Sequence, residues 1–493
     1  MDRVAFLSTW VKYFEYLPDM RKLPALLTAQ IALLVALLLF CNAAFPQQKN
    51  PRLGNASRED RNGWIYVHLE GSPKDIGFQN GYLLATEIDD LIRAMKLVLP
   101  HESGKDWAFY KAFVKKAFWD KIDPEYQEEI TGITEGLKAR GKSYDAYDIV
   151  VLNGNIELSQ YYVPSLAEKA HPGSAAANNK APGNCSGFIA TGSYTADGQI
   201  AIGHNNWTDF VYGERWNVIA DIIPQTGNRL FMDMMPGFIH SGDDFVVTGG
   251  GMLITETTIT QFKGFDEKGI PEFVRARKAA QYANSIDDFI QIMTTGNNGG
   301  YANDWLVGDT KTNEIARVEL GLKNHPVWRT KDGMYTGSNW AADEKLIKEE
   351  TTFDPGDSTN SPNSRRRRWE RLSADHKGKI DAETGKMIEG DTYNQLTGAK
   401  EASRCVIAGR VDTDPKGCPE WGWGPYFPGG TVQGKVTTAA LAKDLKFWAH
   451  MGNPSGEDFL AAPFFTAHPE YEWLSRYLHD MKAYPWTLFE ARK

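Results

Sequence analysis

The chain has 493 residues, a length that suits one large domain or two ordinary ones. Hydrophobic residues make up 42% of it and charged residues 24%, which is typical of a globular protein and not of a disordered one. The net charge of −9 argues against a nucleic-acid partner, because phosphate binding needs a basic face. The sequence has no P-loop or dinucleotide fingerprint, and its ten histidines lack metal-site spacing, so we expect neither cofactor nor metal.

An uncharged run near the N-terminus, Leu23–Phe40, follows Arg21 and Lys22. It is long for the core of a signal peptide and short for a comfortable membrane span, but both interpretations direct export. We favour a signal peptide over residues 1–45, with membrane anchoring through residues 23–40 as the alternative. The expected location is therefore periplasmic, secreted or lysosome-like lumenal.

The globular pattern begins at Trp64, where Trp64–Glu70 alternates like a strand. Ser72 and Pro73 then mark a plausible helix start. Apolar residues at helical spacing predict helices over Ser72–Val98, Asp106–Lys121, Asp123–Gly141 and Asp145–Ser159. Residues 46–184 are therefore expected to form a tether followed by a mostly helical pro-region.

The segment Glu168–Gly183 is made largely of small residues, Pro, Gly and Asn. Almost none of its side chains could be buried, so we expect an exposed and flexible stretch. Such stretches are where chains are cut. This one ends directly at Asn184 and Cys185.

The chain after Cys185 is rich in strand patterns, with Asp197-Gly198 as a hairpin signal. Strands are predicted at Ser186–Ser193, Gln199–His204, Trp216–Ile223, Arg229–Met235, Phe245–Thr248, Gly251–Thr258, Trp305–Asp309 and Glu314–Glu319. Helices are predicted at Pro271–Tyr282, Ser285–Thr294, Ser364–Lys377 and Thr437–Leu445. The order predicts an α+β fold with two sheets covered by helices, in which residues 185–493 form the catalytic part.

The four cysteines are Cys41, Cys185, Cys405 and Cys418. In an oxidising compartment a disulfide between Cys405 and Cys418 would close a loop. Cys41 lies in the segment that a signal peptidase would remove. Cys185 then has no partner, and is either a buried inert thiol or a reactive one.

The position of Cys185 favours reactivity, because a thiol just after a flexible segment can attack the preceding carbonyl. Hydrolysis of the resulting thioester would make Cys185 a new N-terminus. Its α-amino group, with a pKa of roughly 7.7–8.0, could then act as the base for its own thiol. The alternative is that Cys185 is only a small buried hydrophobic residue.

Several blocks resemble phospholipase B-like proteins, in the same order and with similar spacing. They are Cys185–Ile189, Ile202–Phe210 with its His-x-x-Trp pattern, Pro236–Thr258, Gly300–Asp309 and Gly434–Val436. Gly71–Gly81 resembles the opening of the related cysteine acyltransferases, which include the penicillin-forming acyltransferases. Asp304 stands where the phospholipase B-like motif has Gln, so substrate pocket and acyl preference stay open.

The resemblance implies a four-layer αββα sandwich of the N-terminal-nucleophile hydrolases, preceded by a helical pro-region. It implies that His204 holds or polarises the thiol and that Asn303 stabilises the oxyanion. It further suggests Thr257 as a residue that orients the new amino group, and Asp221 as a carboxylate that holds this ammonium or the histidine.

An arginine after Asn303 is also implied, and we choose Arg329 over Arg317. The run Arg365–Arg368 is instead expected to be a solvated helix face.

The function implied is self-processing hydrolysis of amide or ester bonds in lipid-like or acylated small molecules, with no metal. Acyl transfer through the same thioester is a second possibility. A non-catalytic exported binding protein is the third. The sequence does not reveal the oligomeric state.

Overall fold

The structure is a computed structural model that describes residues 50–171, 185–242 and 245–493. Two units are distinguished, Met1–Pro51 and Arg52–Lys493, and every element below from β1 onward lies in the second. The predicted leader Leu23–Phe40, Cys41 and most of Glu168–Gly183 lie outside the described residues. Within the described ranges, no helix has both the length and the apolar character needed to cross a membrane.

The elements are numbered here in chain order. The strands are β1 Ser57–Arg61, β2 Trp64–Gly71, β3 Ser186–Thr191, β4 Ala201–Asp209, β5 Val218–Pro224, β6 Leu230–Met234, β7 Val246–Thr248, β8 Met252–Thr258, β9 Asn303–Asp309, β10 Glu314–Leu320, β11 Val327–Thr330, β12 Gly333–Gly337, β13 Tyr393–Asn394, β14 Ala399–Lys400, β15 Gly429–Thr438, β16 Lys446–Met451 and β17 Thr487–Glu490. The helices are α1 Pro73–Leu83, α2 Ala85–Ser103, α3 Trp107–Ala117, α4 Pro124–Ala139, α5 Ala146–Asn153, α6 Val163–Ala170, α7 Phe210–Gly213, α8 Glu272–Tyr282, α9 Ile286–Thr294, α10 Glu344–Glu350, α11 Ser361–Asp375, α12 Ala382–Glu389, α13 Ala439–Ala442 and α14 Ala461–Ala467. A π-helical turn, Glu157–Tyr162, precedes α6.

Two large sheets organise the fold. The first has nine strands in the order β1-β2-β5-β6-β7-β8-β9-β10-β11, and the second has six in the order β12-β3-β4-β15-β16-β17. The part of the chain before Cys185 takes part in the first sheet, because β2 pairs in parallel with β5, with Ile65 opposite Val218. Segments from before and after Cys185 therefore share one hydrogen-bonded sheet.

Buried apolar residues fill the space between and outside the sheets. Ile189 and Ile202 of the six-stranded sheet pack with Leu253 and Leu306 of the nine-stranded sheet. A large helical cluster covers the outer face of the nine-stranded sheet, and Trp369 of α11 packs with residues of β3 and β4 on the far side. The four layers run helix, sheet, sheet, helix, and the predicted α+β fold is confirmed.

Local sequence signals for the first helices are largely confirmed. The Ser72 side chain accepts a hydrogen bond from the backbone of Asp75 and caps α1, which has Pro73 in its first turn. The predicted helix over Ser72–Val98 is two helices, separated at Leu84.

The helix predicted over Thr437–Leu445 is wrong for its first residues. Strand β15 continues to Thr438, which lies opposite Ala201 of β4, and only Ala439–Ala442 is helical. Thr437 and Thr438 are β-branched and pair with β4, so they extend the strand and do not start the helix.

The disulfide predicted between Cys405 and Cys418 is not formed, and both are free, buried thiols. The side chain of Cys418 packs with Trp207, Val411 and two further tryptophans, whereas Cys405 Sγ lies 4.0 Å from the Thr359 carbonyl oxygen. Burial raises the pKa of both thiols, which disfavours the reactive thiolate.

Candidate active site

Cys185 lies directly before β3, a strand that is buried along its whole length between β12 and β4. Its side chain is 0% exposed, and its backbone φ is +84°. Residues with a Cβ rarely adopt positive φ, and doing so costs of order 1–3 kcal/mol. The residue after the predicted cut therefore occupies a strained, fully buried position.

Cys185 belongs to a compact group with His204 and Glu256. The Cys185 Sγ, a ring nitrogen of His204 and a carboxylate oxygen of Glu256 all lie within 4.8 Å of one another, and all three residues are buried. Strand register explains the first pair, because Gly187, two residues after the cysteine, lies opposite His204 of β4. Glu256 comes from β8 of the other sheet, so the group spans both layers.

Neutral donors hold the Glu256 carboxylate. Tyr301 Oη donates to Glu256 Oε1 at 2.9 Å, and itself accepts a hydrogen bond from Thr258 Oγ1 at 2.8 Å. The amide of Asn303 is assigned with its nitrogen toward Glu256 Oε2, at 2.9 Å. In that orientation its second N–H donates to the Ala302 carbonyl oxygen at 3.0 Å. An amide nitrogen has two donors, so Asn303 must rotate to bind an oxyanion.

Residues before Cys185 contact the loop that leads into β9. Tyr161, in the π-helical turn, accepts a hydrogen bond from the Ala302 backbone at 3.1 Å. Glu157 accepts hydrogen bonds from the backbone of Glu272 at 2.8 Å and from Asn298 Nδ2 at 2.5 Å. The loop that leads into Asn303 is thus anchored by residues from the other side of Cys185.

Arg365 corrects the prediction that Arg365–Arg368 is a solvated face. Its side chain is 0% exposed, and it donates to the Cys185 carbonyl oxygen at 3.0 Å, to Asn339 Oδ1 at 2.6 Å and to Ser361 Oγ at 3.0 Å. Its guanidinium also lies 4.6 Å from the centroid of a Trp207 ring. The prediction fails because α11 packs on the six-stranded sheet with this residue inward, whereas Arg366 and Arg367 make exposed hydrogen bonds.

Burial lowers the pKa of Arg365 to about 10, so the guanidinium remains charged at neutral pH. All three of its hydrogen bonds end on uncharged oxygen atoms. A buried positive charge beside a cysteine favours the thiolate form.

Thr257 is buried at the same end of the sandwich. A Cβ at Gly337 of β12 would stand 2.2 Å from its hydroxyl oxygen, so the two strands touch there. Gly337 lies opposite Gly187 of β3, which places the threonine near the strand that carries the nucleophile. The Thr257 hydroxyl has no hydrogen-bond partner among the residues that the structure describes.

Asp221 and Arg329, by contrast, are not brought to Cys185. Asp221 accepts hydrogen bonds from His68 Nδ1 and from Arg229 Nε and Nη2, each at 2.7 Å. Arg329 lies on β11 at the sheet edge, where it pairs with Glu314 at 2.9 Å and with Asp287. The arginine that contacts the nucleophile segment is Arg365, which our choice of Arg329 missed.

We expected no metal because the histidines lack metal-site spacing in the sequence. The fold nevertheless brings three possible ligands together from segments that are far apart in the chain. Cys185, His204 and Glu256 each offer one ligand atom close enough for a metal ion to bridge. Cysteine, histidine and carboxylate are all ligands that zinc accepts. The geometry alone thus permits a metal as well as a nucleophile.

Sequence reasoning also missed Glu256 and Tyr301. Both lie inside blocks that carried the family resemblance, Pro236–Thr258 and Gly300–Asp309, so the signal was present. The sequence does not show that these two side chains meet, because their contact depends on the pairing of β8 with β9, the strand that follows Tyr301.

The two-sheet sandwich with a buried cysteine before an internal strand can be compared with known proteins. A family model described as Phospholipase B matches residues 102–328. An uncharacterized protein of Archaeoglobus fulgidus is 27% identical over 267 residues, which are 51% of this chain and 42% of that protein.

Two named relatives give weaker matches. Putative phospholipase B-like 2 of Caenorhabditis elegans is 24% identical over 208 residues, 39% of this chain and 34% of that protein. Phospholipase B-like 1 of Homo sapiens is 26% identical over 216 residues, 41% of this chain and 38% of that protein. The matches span less than half the length of each relative. The predicted resemblance to the phospholipase B-like family is confirmed.

Proposed function

We propose that this chain is a self-processing cysteine hydrolase that cleaves ester or amide bonds in lipid-like or acylated small molecules. Its phospholipase B-like relatives support a lipid hydrolase or a related function at the level of the family. The observation that carries the proposal is the group formed by Cys185, His204 and Glu256, buried at the residue that follows Asn184.

The first reaction is cleavage of the chain. The Cys185 sulfur bonds to the Asn184 carbonyl carbon, the thiol proton passes to a nearby base, and the peptide nitrogen leaves with a proton. That step frees the α-amino group of Cys185. Water then attacks the thioester carbon and the C–S bond breaks, which restores the thiol and releases Asn184 as a C-terminal carboxylate. Strain at φ +84° raises the energy of the uncut state and so assists this step.

The second reaction is turnover of substrate. The Cys185 sulfur attacks the carbonyl carbon of an ester or amide, while the new α-amino group or His204 accepts the thiol proton. The leaving alcohol or amine takes that proton, and water hydrolyses the thioester to release the acid. Arg365 would hold the nucleophile through its bond to the Cys185 carbonyl oxygen.

The oxyanion role of Asn303 remains a proposal that requires its amide to turn from Glu256 toward the substrate. Thr257 and Glu256 are candidates to hold the new ammonium group, since both are buried at the same end of the sandwich. Export of the chain is also part of this proposal, through the segment Leu23–Phe40.

The cleaved parts should stay together. Strand β2 is paired along its length with β5, and Tyr161 and Glu157 bond to residues after Cys185. We expect both chains to co-elute from a sizing column and to separate only in denaturant.

The test is a denaturing gel of purified full-length protein with N-terminal sequencing of each band. We expect a C-terminal chain of 309 residues (493 − 184) that begins at Cys185. Cys185→Ala should remain uncut and inactive, whereas Cys418→Ala, which removes another buried thiol and leaves Cys185, His204 and Glu256 in place, should be cut normally. An intact wild-type chain that hydrolyses esters would overturn the mechanism.

Acyl transfer is the second candidate, because the same thioester can be attacked by an amine instead of water. Product analysis with and without an added amine separates the two reactions. A chain that stays uncut and inactive toward both would instead favour a binding protein.

A further inference from the structure

A cavity of about 770 Å³ lies beside, and not within, the Cys185 group. Its walls come from the end of α2, the turn around Asn155–Gln160, the end of β4 and two segments near Trp421 and Tyr471. Many of the lining side chains are aromatic, among them Tyr212, Trp216, Trp421, Trp423, Tyr471 and Trp473. A volume of this size is in the range of small-molecule sites.

The charged groups that line the cavity are acidic. Glu102 and Asp209 meet there, with Glu470 near the rim, and the described lining residues include no lysine or arginine. Burial and the neighbouring Asp209 raise the pKa of Glu102 well above its ordinary value, and burial raises the pKa of Asp209 to about 6. Glu102 keeps an exposed surface, so solvent screens part of this repulsion.

Three donors on the same walls are buried and unsatisfied. Tyr212 is 9% exposed, Trp216 4% and Trp421 3%. Tyr212 Oη, Trp216 Nε1 and Trp421 Nε1 have no hydrogen-bond partner among the described residues. A buried donor left unpaired costs about 1–3 kcal/mol, so each is suited to an acceptor supplied by a ligand.

From this combination we propose that the cavity binds a small organic ammonium group that carries a neighbouring oxygen acceptor. Aromatic faces attract such cations, and an ammonium ion placed between Glu102 and Asp209 neutralises their mutual repulsion. The oxygen acceptor takes a hydrogen bond from one of the three unpaired donors.

The cavity is also connected to the Cys185 group through Trp421 and Arg365. Trp421 forms one wall, and the Arg365 guanidinium lies 5.6 Å from the centroid of its ring. Asp209 is four residues beyond Asn205, the partner of Ser186, so roughly 13 Å of strand separates it from the start of β3. If the proposed function holds, the cavity receives the ammonium end of the substrate.

The binding test uses Cys185→Ala full-length protein, so that turnover does not intervene. Choline is titrated by calorimetry and by tryptophan fluorescence, against its uncharged isostere 3,3-dimethylbutan-1-ol. We expect choline to bind at least about tenfold more tightly than the isostere. Equal affinities, or no binding of either, would overturn the proposal.

Two conservative variants locate the site. Asp209→Asn and Glu102→Gln should each weaken choline binding by about tenfold or more, whereas Glu370→Gln, an exposed acid on α11, should not. Thermal unfolding checks that each variant is folded, and Trp473→Leu provides a variant that leaves both carboxyl groups in place. Choline binding unchanged in all three cavity variants would contradict the assignment. That outcome would leave the proposed function standing, because self-cleavage is measured separately in the protein that keeps Cys185.

Discussion

Asp221 and Glu256 are both fully buried carboxylates on the nine-stranded sheet, but their surroundings differ. Asp221 is held by His68, by Nε and Nη2 of Arg229 and by the backbone of Arg492. Glu256 is held by a phenol and an amide, and lies beside a thiol and an imidazole. The charge of Asp221 is strongly compensated, which fits a structural role. Glu256 instead lies beside groups that can exchange protons.

The same contrast separates two arginines. Arg229 forms an ion pair with Asp221, whereas Arg365 donates hydrogen bonds to the Cys185 carbonyl oxygen and to two other uncharged oxygen atoms. A buried guanidinium without a bonded carboxylate is costly. Because the Arg365 guanidinium is bonded to the candidate nucleophile residue, we expect it to contribute to activity.

The largest effect should come from Arg365→Lys. Lysine keeps the charge but cannot donate in three fixed directions, so we expect ester hydrolysis to fall by about 100-fold or more. Arg366→Lys, whose bond to Glu370 is exposed, should retain activity. The rate of chain cleavage and the melting temperature should be measured with both. Full activity in Arg365→Lys would show that the guanidinium is only structural.

Glu256→Gln should have the next largest effect. The amide keeps the shape of the side chain and removes the negative charge beside Cys185 and His204, so we expect activity to fall by about 10- to 100-fold. The pH profile of kcat/KM should change with it, because a charge that interacts with the thiol and the imidazole is lost. A loss of rate with an unchanged profile would place Glu256 outside the proton-transfer steps.

Asp221→Asn should affect stability and spare activity. Burial alone would raise the pKa of Asp221, but bonds from His68 and Arg229 outweigh it and lower the pKa to about 2. Relative to an unfolded pKa of about 3.9, this is worth about 2–3 kcal/mol of unfolding free energy near neutral pH. Urea unfolding of wild type and variant measures it.

The pH dependence of this stability difference follows from the lowered pKa of Asp221 and the raised pKa of His68. The Asp221 contribution is present above about pH 4 and declines as pH falls toward 2. The hydrogen bond to Asp221 raises the pKa of His68, so the His68 contribution is complete below about pH 6.5 and declines as pH rises through the folded pKa. The stability difference should be widest between those limits. A difference that does not vary with pH would contradict this account.

Chelation should have the smallest effect. With Cys185 as nucleophile, EDTA should leave hydrolysis and cleavage unchanged, although Cys185, His204 and Glu256 could accept an ion. Added Zn²⁺ should inhibit by occupying the thiolate. Activity that is lost with EDTA and restored by Zn²⁺ would replace the nucleophile mechanism with a metal one.

Local sequence patterns predicted much of the fold. The cap at Ser72, the hairpin of β9 and β10, and the strand after Cys185 depend on neighbours in sequence, and all are present. The continuation of β15 to Thr438 was missed, because its partner β4 lies more than two hundred residues away.

The candidate site divides in the same way. Residue order alone singled out Cys185, through the Pro-, Gly- and Asn-rich sequence before it and the strand pattern after it, and family-like blocks added His204 and Asn303. Glu256, Arg365 and the acidic cavity emerged only when two sheets and α11 were packed together, because burial and charge compensation are properties of spatial neighbours. For the same reason, no local pattern could tell that Asp221 would be neutralised by Arg229 while Arg365 would turn inward to Cys185.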